Sequence, residues 1–239
     1  MSAAGSPPAR LTAVVGAMRE EIERLEASLE EPTGGRQRPF RFTRGRLEGH
    51  QVLLAECGVG KVNAAALTQA LLAEGADRLV FTGVAGAVDP ALRVGDVVIG
   101  SEAVQHDVDV TGLGYDLGEV PGSGHLWQAD PALVEAAREA AAELTNLTTV
   151  VGRVASGDTF VADAAATARI SESFGALCTE MEGAAVAQVC HRWGVPFVIV
   201  RSISDSADHS AQVDFRAFTA VAAANAEQVV RGLLRRVAR

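Results

Sequence analysis

Cysteine is scarce: the 239 residues contain three, Cys57, Cys178 and Cys190, with no C-x-x-C spacing. An odd, scattered set argues against a disulfide framework or a zinc site and fits a reducing, cytoplasmic setting. Runs of Lys and Arg are missing as well, and the net charge is -9. A nucleic-acid surface needs the opposite sign. No apolar run approaches the ~20 residues of a membrane span. Residues 1–10 are small and polar and lack the apolar core of a signal peptide, so they read as a flexible tail ahead of one domain, 11–239. Metal-ligand patterns are absent too. His106, Asp107 and Asp109 lie close together but in an unspecific spacing, and neither a metal nor any other cofactor is expected. Aromatic residues make up only 5% of the chain, which draws attention to any that fall near a candidate site.

What is present is an apolar chain, 48% hydrophobic, with enough material for a substantial core. Short β-branched runs alternate with amphipathic, alanine-rich segments. Strands are expected at 11–16, 41–47, 51–56, 78–83, 94–99, 148–155, 176–179 and 195–203. Helices are expected from Arg19 to about residue 30, over 61–74, 130–144, 162–174, 184–191 and 215–239. Asp130 followed by Pro131 reads as an N-cap with proline in the first turn. The stretch 32–39 reads as a Gly/Pro/Arg loop, 106–110 as an alternating segment, and 112–124 as a long glycine-rich loop of the kind that is usually functional or at an interface. Strand–helix alternation without a composition break gives an α/β class and one domain.

Polar groups gather where strands end, which is where open α/β sheets bind ligands. Thr179-Glu180-Met181-Glu182-Gly183 sits between a strand and a helix start. If extended, it aims Glu180 and Glu182 to one face; otherwise they are simply acids suited to a first helical turn. Glu20, Glu21 and Glu23 follow the first strand and cannot all face one pocket; each either serves a site beyond the strand end or is a solvated acid of the first helical turn. Cys57-Gly58-Val59-Gly60-Lys61 resembles a phosphate loop but has neither required spacing, and reads as a tight turn. Gly83 to Gly86 reads as a small-residue turn just past a strand, able to let a flat ligand approach the backbone. Ser156 to Val161 is a polar turn closed by the exposed-looking Phe160. Ser204 and Asp205 close the buried 195–203 strand, where an aspartate either caps the next segment or serves a site.

Taken together, eight pieces in order resemble the nucleoside phosphorylase/nucleosidase superfamily, and most closely the bacterial 5′-methylthioadenosine/S-adenosylhomocysteine nucleosidases. They are GAMREE (16–21), CGVGKVNAA (57–65), TGVAGA (82–87), VGDVVI (94–99), HDVDVTGLGY…VPG (106–122), SGDTFV (156–161), TEMEG (179–183) and RSISDSAD (201–208). The resemblance spans nearly the whole chain. It implies a three-layer α/β/α sandwich around a mixed central sheet, and hydrolysis of an N-glycosidic bond that releases adenine and a 5-thioribose. It implies that Asp205 is the general acid on adenine and that Glu21 activates water. Met181 and Glu182 would contact the ribose, while Phe160 and Val161 would form the adenine pocket. Met18, Val59 and Phe215 would supply apolar contacts to the sugar or thioalkyl group, and Ala85, Gly86, Glu180 and Ser204 would complete the binding set. Val110, Leu113, Tyr115 and Pro121 would reach the neighbouring subunit's thioalkyl pocket, implying a homodimer. Val84 and Leu113 depart from residues common in that family, a serine and an aromatic.

The chemistry demands such groups. An oxocarbenium-like sugar needs a proton on its leaving base and a guided water, and burial of an aspartate raises its pKa toward that task. Related activities stay open: hydrolysis of 6-amino-6-deoxyfutalosine, phosphorolysis of a purine nucleoside with Arg19 helping to hold phosphate, or nucleoside binding without turnover.

Overall fold

The structure, a computed structural model, describes residues 10–37, 39–145, 147–207 and 211–238. Residues 1–9 of the expected tail, Asp208 of the last motif and Arg239 of the expected C-terminal helix lie outside the described residues. The elements in order are β1 (Leu11–Gly16), α1 (Arg19–Ala27), β2 (Glu30–Gln37), β3 (Phe40–Leu47), β4 (His50–Glu56), α2 (Lys61–Ala73), β5 (Arg78–Ala87) and β6 (Val97–Gln105). They continue with β7 (Trp127–Gln128), α3 (Pro131–Ala141), β8 (Thr149–Ser156), α4 (Ala164–Phe174), β9 (Cys178–Glu180), α5 (Gly183–Trp193), β10 (Phe197–Asp205) and α6 (Ala211–Arg236).

The sheet is mixed. β1 runs parallel to β4 and β5, and β5 parallel to β10. Antiparallel pairing joins β10 to β6 and β5 to β9. Because β6–β8 and β8–β9 also pair, β5, β10, β6, β8 and β9 close into a ring, while β1, β4, β3 and β2 extend from it as an open sheet.

Side-chain alternation explains the three layers. Val14, Val80, Val198 and Val200 face α1, α3 and α6, together with Leu25, Leu133 and Val229. Their neighbours Ala13, Val15, Leu79, Phe81 and Ile199 face α2 and α5, with Leu67, Leu71 and Val186. Both faces are covered, so these strands read as unbroken apolar runs. Truncating one fully buried residue such as Leu71 to alanine would cost roughly 2–5 kcal/mol. Asp130 caps α3 as expected, accepting from the Ala132 and Leu133 amides at 3.0 Å.

Several expected boundaries need correction. The stretch read as a loop at 32–39 contains most of β2, an edge strand paired only with β3. Pro32 is tolerated because the register shifts between Glu30 and Thr33, where no ladder amide is needed. Gly83 to Gly86 is not a turn but the second half of β5, held there by pairing with β10 and β9. Likewise β10 extends through Ser204 to Asp205, and β6 starts at Val97 and runs to Gln105. Residues 106–110 lie beyond the strand rather than continuing it.

Candidate active site

The end of β1, the late part of β5, the β9–α5 junction and the end of β10 converge on one cavity of about 340 Å³. Thirteen of the seventeen residues expected at the site line it. The acids are Glu21, Glu180, Glu182 and Asp205, and the small strand residues are Ala85, Gly86 and Ser204. Phe160 and Val161 line it from the 156–161 turn, and Met18, Val59, Met181 and Phe215 add apolar surface. Phe160 and Phe215 meet edge to face, with ring centroids 5.7 Å apart. Val84 also lines the cavity, as do Ala17, Thr159 and Thr179, which lie within GAMREE, SGDTFV and TEMEG but were not among the expected site residues.

Glu21 stands in the first turn of α1 yet is buried, so it is not the solvated acid of the simpler reading. Its Oε2 accepts the Ala17 and Met18 amides at 2.6 and 2.9 Å, so it caps its own helix. Oε1 accepts the Val84 amide at 2.9 Å, which carries the carboxylate across to β5. Gly83 makes that crossing possible. A Cβ there would stand 2.2 Å from both Glu21 Oε1 and Arg201 Nη1. Burial raises the Glu21 pKa above the usual carboxylate range, against the opposing pull of Arg201 and the three amides.

Glu180 and Glu182 point into the site but have different employment. Glu180 pairs with Arg201, accepts a bond from Ser156 Oγ, and receives the Gly183 amide at 2.8–2.9 Å. Its oxygens are committed to holding β9, β8, β10 and α5 together. Glu182 accepts only the Gly60 amide among the described residues, on Oε1 at 2.7 Å. Its other oxygen is available to a ligand. Burial, and next the Glu180 charge, push the Glu182 pKa up to about 8, while Arg201 and the Gly60 amide pull the other way. Met181, expected to face elsewhere or pack on an apolar ligand, lines the cavity between them.

Asp205 ends β10 opposite Gly86. Its Oδ2 accepts the Ser204 hydroxyl at 2.8 Å and its Oδ1 the Ala207 amide at 2.9 Å. Gly86 is the residue that fits beside it, since a Cβ there would lie 2.8 Å from Asp205 Oδ1.

Arg201 was not among the expected site residues. It is buried in β10, with its guanidinium carbon 4.1 Å from the Phe81 ring centroid. Its Nε and Nη1 have no hydrogen-bond partner among the described residues. Burial works against its charge, but Glu180, Glu21 and Glu182 together outweigh burial and raise its pKa. The signal was in the sequence: an arginine inside an otherwise apolar strand must be paired with buried acids.

Val110, Leu113, Tyr115 and Pro121 do not line the cavity within one chain. They lie on the stretch after β6, with Leu113 76% and Tyr115 39% exposed. Arg19 also stands apart. It is turned toward Glu26 at 2.5 Å and is half exposed.

The sequence profile of the phosphorylase superfamily matches residues 12–235. The chain belongs to the phosphorylase superfamily. A superfamily relative from Geobacillus thermodenitrificans, a 5′-methylthioadenosine/S-adenosylhomocysteine nucleosidase, is 44% identical over 93% of this chain and 95% of its own. The crystal structure of the Neisseria meningitidis nucleosidase of the same name, in complex with methylthio-immucillin-A, superposes with a TM-score of 0.93. It is 41% identical and covers 95% of this chain and all of its own. The futalosine hydrolase of Helicobacter pylori shares the superfamily fold with a TM-score of 0.90 at 32% identity, covering 95% of this chain and 98% of its own.

Proposed function

We propose that this chain, as one nucleosidase domain over residues 11–239, hydrolyses the N-glycosidic bond of 5′-methylthioadenosine and S-adenosylhomocysteine. The observation that carries the reading is the convergence of Glu21, Glu182 and Asp205, distant in sequence and all buried, on a single cavity. Relatives of that name at 41–44% identity over nearly the full length support it.

In this mechanism Asp205 gives a proton to the purine N7 as the C1′–N9 bond breaks and its electron pair passes to the base. Glu21, with its raised pKa, takes a proton from the water whose oxygen bonds C1′. Glu182 holds the sugar hydroxyls with its free oxygen. Those of the acids around the cavity that are ionised favour the cationic sugar. The products are adenine and the 5-thioribose.

The same charges disfavour phosphorolysis. Four acidic side chains line the cavity, and among the described residues the guanidinium next to them, Arg201, is already paired with Glu180. Arg19, the cation that could have helped hold phosphate, is committed to Glu26. Incubation with 5′-methylthioadenosine in phosphate-free buffer tests the reading: adenine is released at full rate. A rate that depends on phosphate, with ribose 1-phosphate as product, would overturn it, and tight adenosine binding without turnover would make the chain a binding protein. A second reading, 6-amino-6-deoxyfutalosine hydrolysis, draws on the likeness to the futalosine hydrolase, which is weaker than that to the Neisseria meningitidis nucleosidase, and direct competition between the two substrates ranks them.

A homodimer belongs to this proposal. Exposed Leu113 and Tyr115, with Val62 on α2 and Trp193 on α5, offer apolar surface to a second copy, whose 106–122 segment would complete the thioalkyl end of the site. Among the described residues no helix is long and apolar enough to cross a membrane. A cytoplasmic role in methionine salvage accords with the activity.

A further inference from the structure

Gly60 and Lys61 open α2, and their two amides hold acids from distant parts of the chain. The Gly60 amide donates to Glu182 Oε1 at 2.7 Å and the Lys61 amide to Asp158 Oδ1 at 2.8 Å. Asp158 is joined in turn to Asp107, whose Oδ2 accepts the Asp158 amide at 2.9 Å. The Lys61 ammonium closes the circuit, donating to Asp107 Oδ1 at 2.6 Å and to Gln105 Oε1 at 2.9 Å. Gln105 Nε2 then donates to Gln188 of α5 at 2.7 Å. Glycine is required at the head of this arrangement. Gly60 has φ +100°, and a Cβ there would press to 3.3 Å from Asp158 Oδ1.

Two ends of the cavity are thereby tied to one helix start. Asp158 belongs to the turn that carries Phe160 and Val161, and Glu182 belongs to the β9–α5 junction. None of Lys61, Asp107 and Asp158 lines the cavity itself. We propose that Lys61, Asp107 and Asp158 are positioning residues that fix the purine-facing turn at a set separation from the sugar clamp Glu182. This inference rests on the nucleosidase reading, because it assigns the purine to one end and the ribose to the other.

An exposed ion pair would contribute little. Here the Lys61 and Asp107 side chains are only 15% and 26% exposed, and each bond is charge-assisted. Burial opposes ionisation of Asp107, but the bond from Lys61 and the Asp158 amide outweigh it and hold its pKa below the ordinary value. The turn's other supports gather at its β8 end, where Ser156 Oγ donates to Glu180 and accepts the Ala184 amide at 2.7 Å. Its Gly157 amide donates to the Glu180 carbonyl at 3.1 Å, and Gly157 itself lies against His106, where a Cβ would come within 2.4 Å of Nε2.

The test compares wild type with Lys61→Met and Lys61→Arg, reading KM and kcat for 5′-methylthioadenosine, Kd for adenine by calorimetry, and Tm. Lys61→Met is expected to raise KM and the adenine Kd together by about 10-fold, the loss of a charge-assisted bond, with kcat changed by less than about twofold. Lys61→Arg is expected to recover most of the affinity. If Lys61→Met fails to fold, Asp107→Asn keeps the oxygen facing the Asp158 amide and is expected to weaken adenine about threefold. Unchanged adenine affinity in the folded variant, or a fall in kcat with KM and Kd unmoved, would overturn the assignment. Wild type without adenine release sinks the nucleosidase reading itself, whereas wild-type turnover alongside unaffected variants sinks only the positioning role; adenine binding is measured in either case.

Discussion

Arg201 and Glu180 form an ion pair inside the sheet, with side chains 1% and 4% exposed, and Glu180 carries the pair to the wall of the cavity. Glu21 and Glu182 share the same guanidinium electrostatically. Three acids therefore depend on one cation, and the order of the site depends on that cation's place in β10.

Removal of Arg201 tests this dependence. Arg201→Met leaves the three carboxylates without their counter-charge, and loss of one member of a buried pair costs about 3–5 kcal/mol. Urea unfolding of the variant should show a loss of that order together with loss of adenine release. A stability within about 0.5 kcal/mol of wild type would mean that the pair is energetically idle.

Gly83 provides a steric counterpart. An alanine Cβ would stand 2.2 Å from both Glu21 Oε1 and Arg201 Nη1, so Gly83→Ala must displace one of them. We expect a loss of more than about 2 kcal/mol and near-complete loss of turnover. Gly34→Ala on the edge strand β2 is the control, since a Cβ there meets nothing within 4 Å. It should stay within about 0.5 kcal/mol of wild type in the same thermal and chemical melts.

Exchange of the two acids proposed for catalysis separates chemistry from binding. Asp205→Asn can keep its oxygen on the Ala207 amide while its NH2 donates to Ser204 Oγ, and it removes the proposed proton donor, so adenine release should fall ~100- to 10,000-fold with a melting temperature close to that of wild type. Near-wild-type release by that variant would remove Asp205 from its role. Glu21→Gln should abolish hydrolysis while nucleoside binding persists, and loss of both together would make Glu21 structural.

Stability should depend on pH through Glu182. Its folded pKa is raised from 4.5 to about 8, so the folded state holds a proton that the unfolded state has lost. The stabilising contribution is complete below pH 4.5 and is lost as pH rises through about 8. The slope in that window is at most ~1.4 kcal/mol per pH unit for one group. Glu182→Gln should reduce the slope in denaturant titrations run between those limits, leaving the part due to the raised pKa of Glu21, and an identical slope in both proteins would place the proton elsewhere.

Most of the architecture could be read from the chain, because apolar runs, caps and turn residues are local. Asp130-Pro131 names the start of α3, and the β-branched run at 195–203 names a strand buried on both faces. The acids at strand ends marked a site for the same reason: each sits where a periodic segment stops. The limits of β5 and β10 were not readable, since Gly83–Gly86 becomes strand through pairing with the Arg201–Asp205 part of β10 and, at Gly86, with Thr179 of β9. β2 is a strand for a similar reason, its Gly- and Pro-bearing sequence being held by the ladder with β3.

Residue identity alone settled which chemical groups the protein carries and roughly where each element begins. Tertiary structure alone settled which of the acids keeps an oxygen for a ligand. Glu180 and Glu182 are two positions apart and identical in kind, yet Arg201, Ser156 and Gly183 engage the first, while the second meets only the Gly60 amide among the described residues. The partners come from β10, β8 and the start of α2, and hydrogen bonds between elements so far apart along the chain exist only once the sheet has closed.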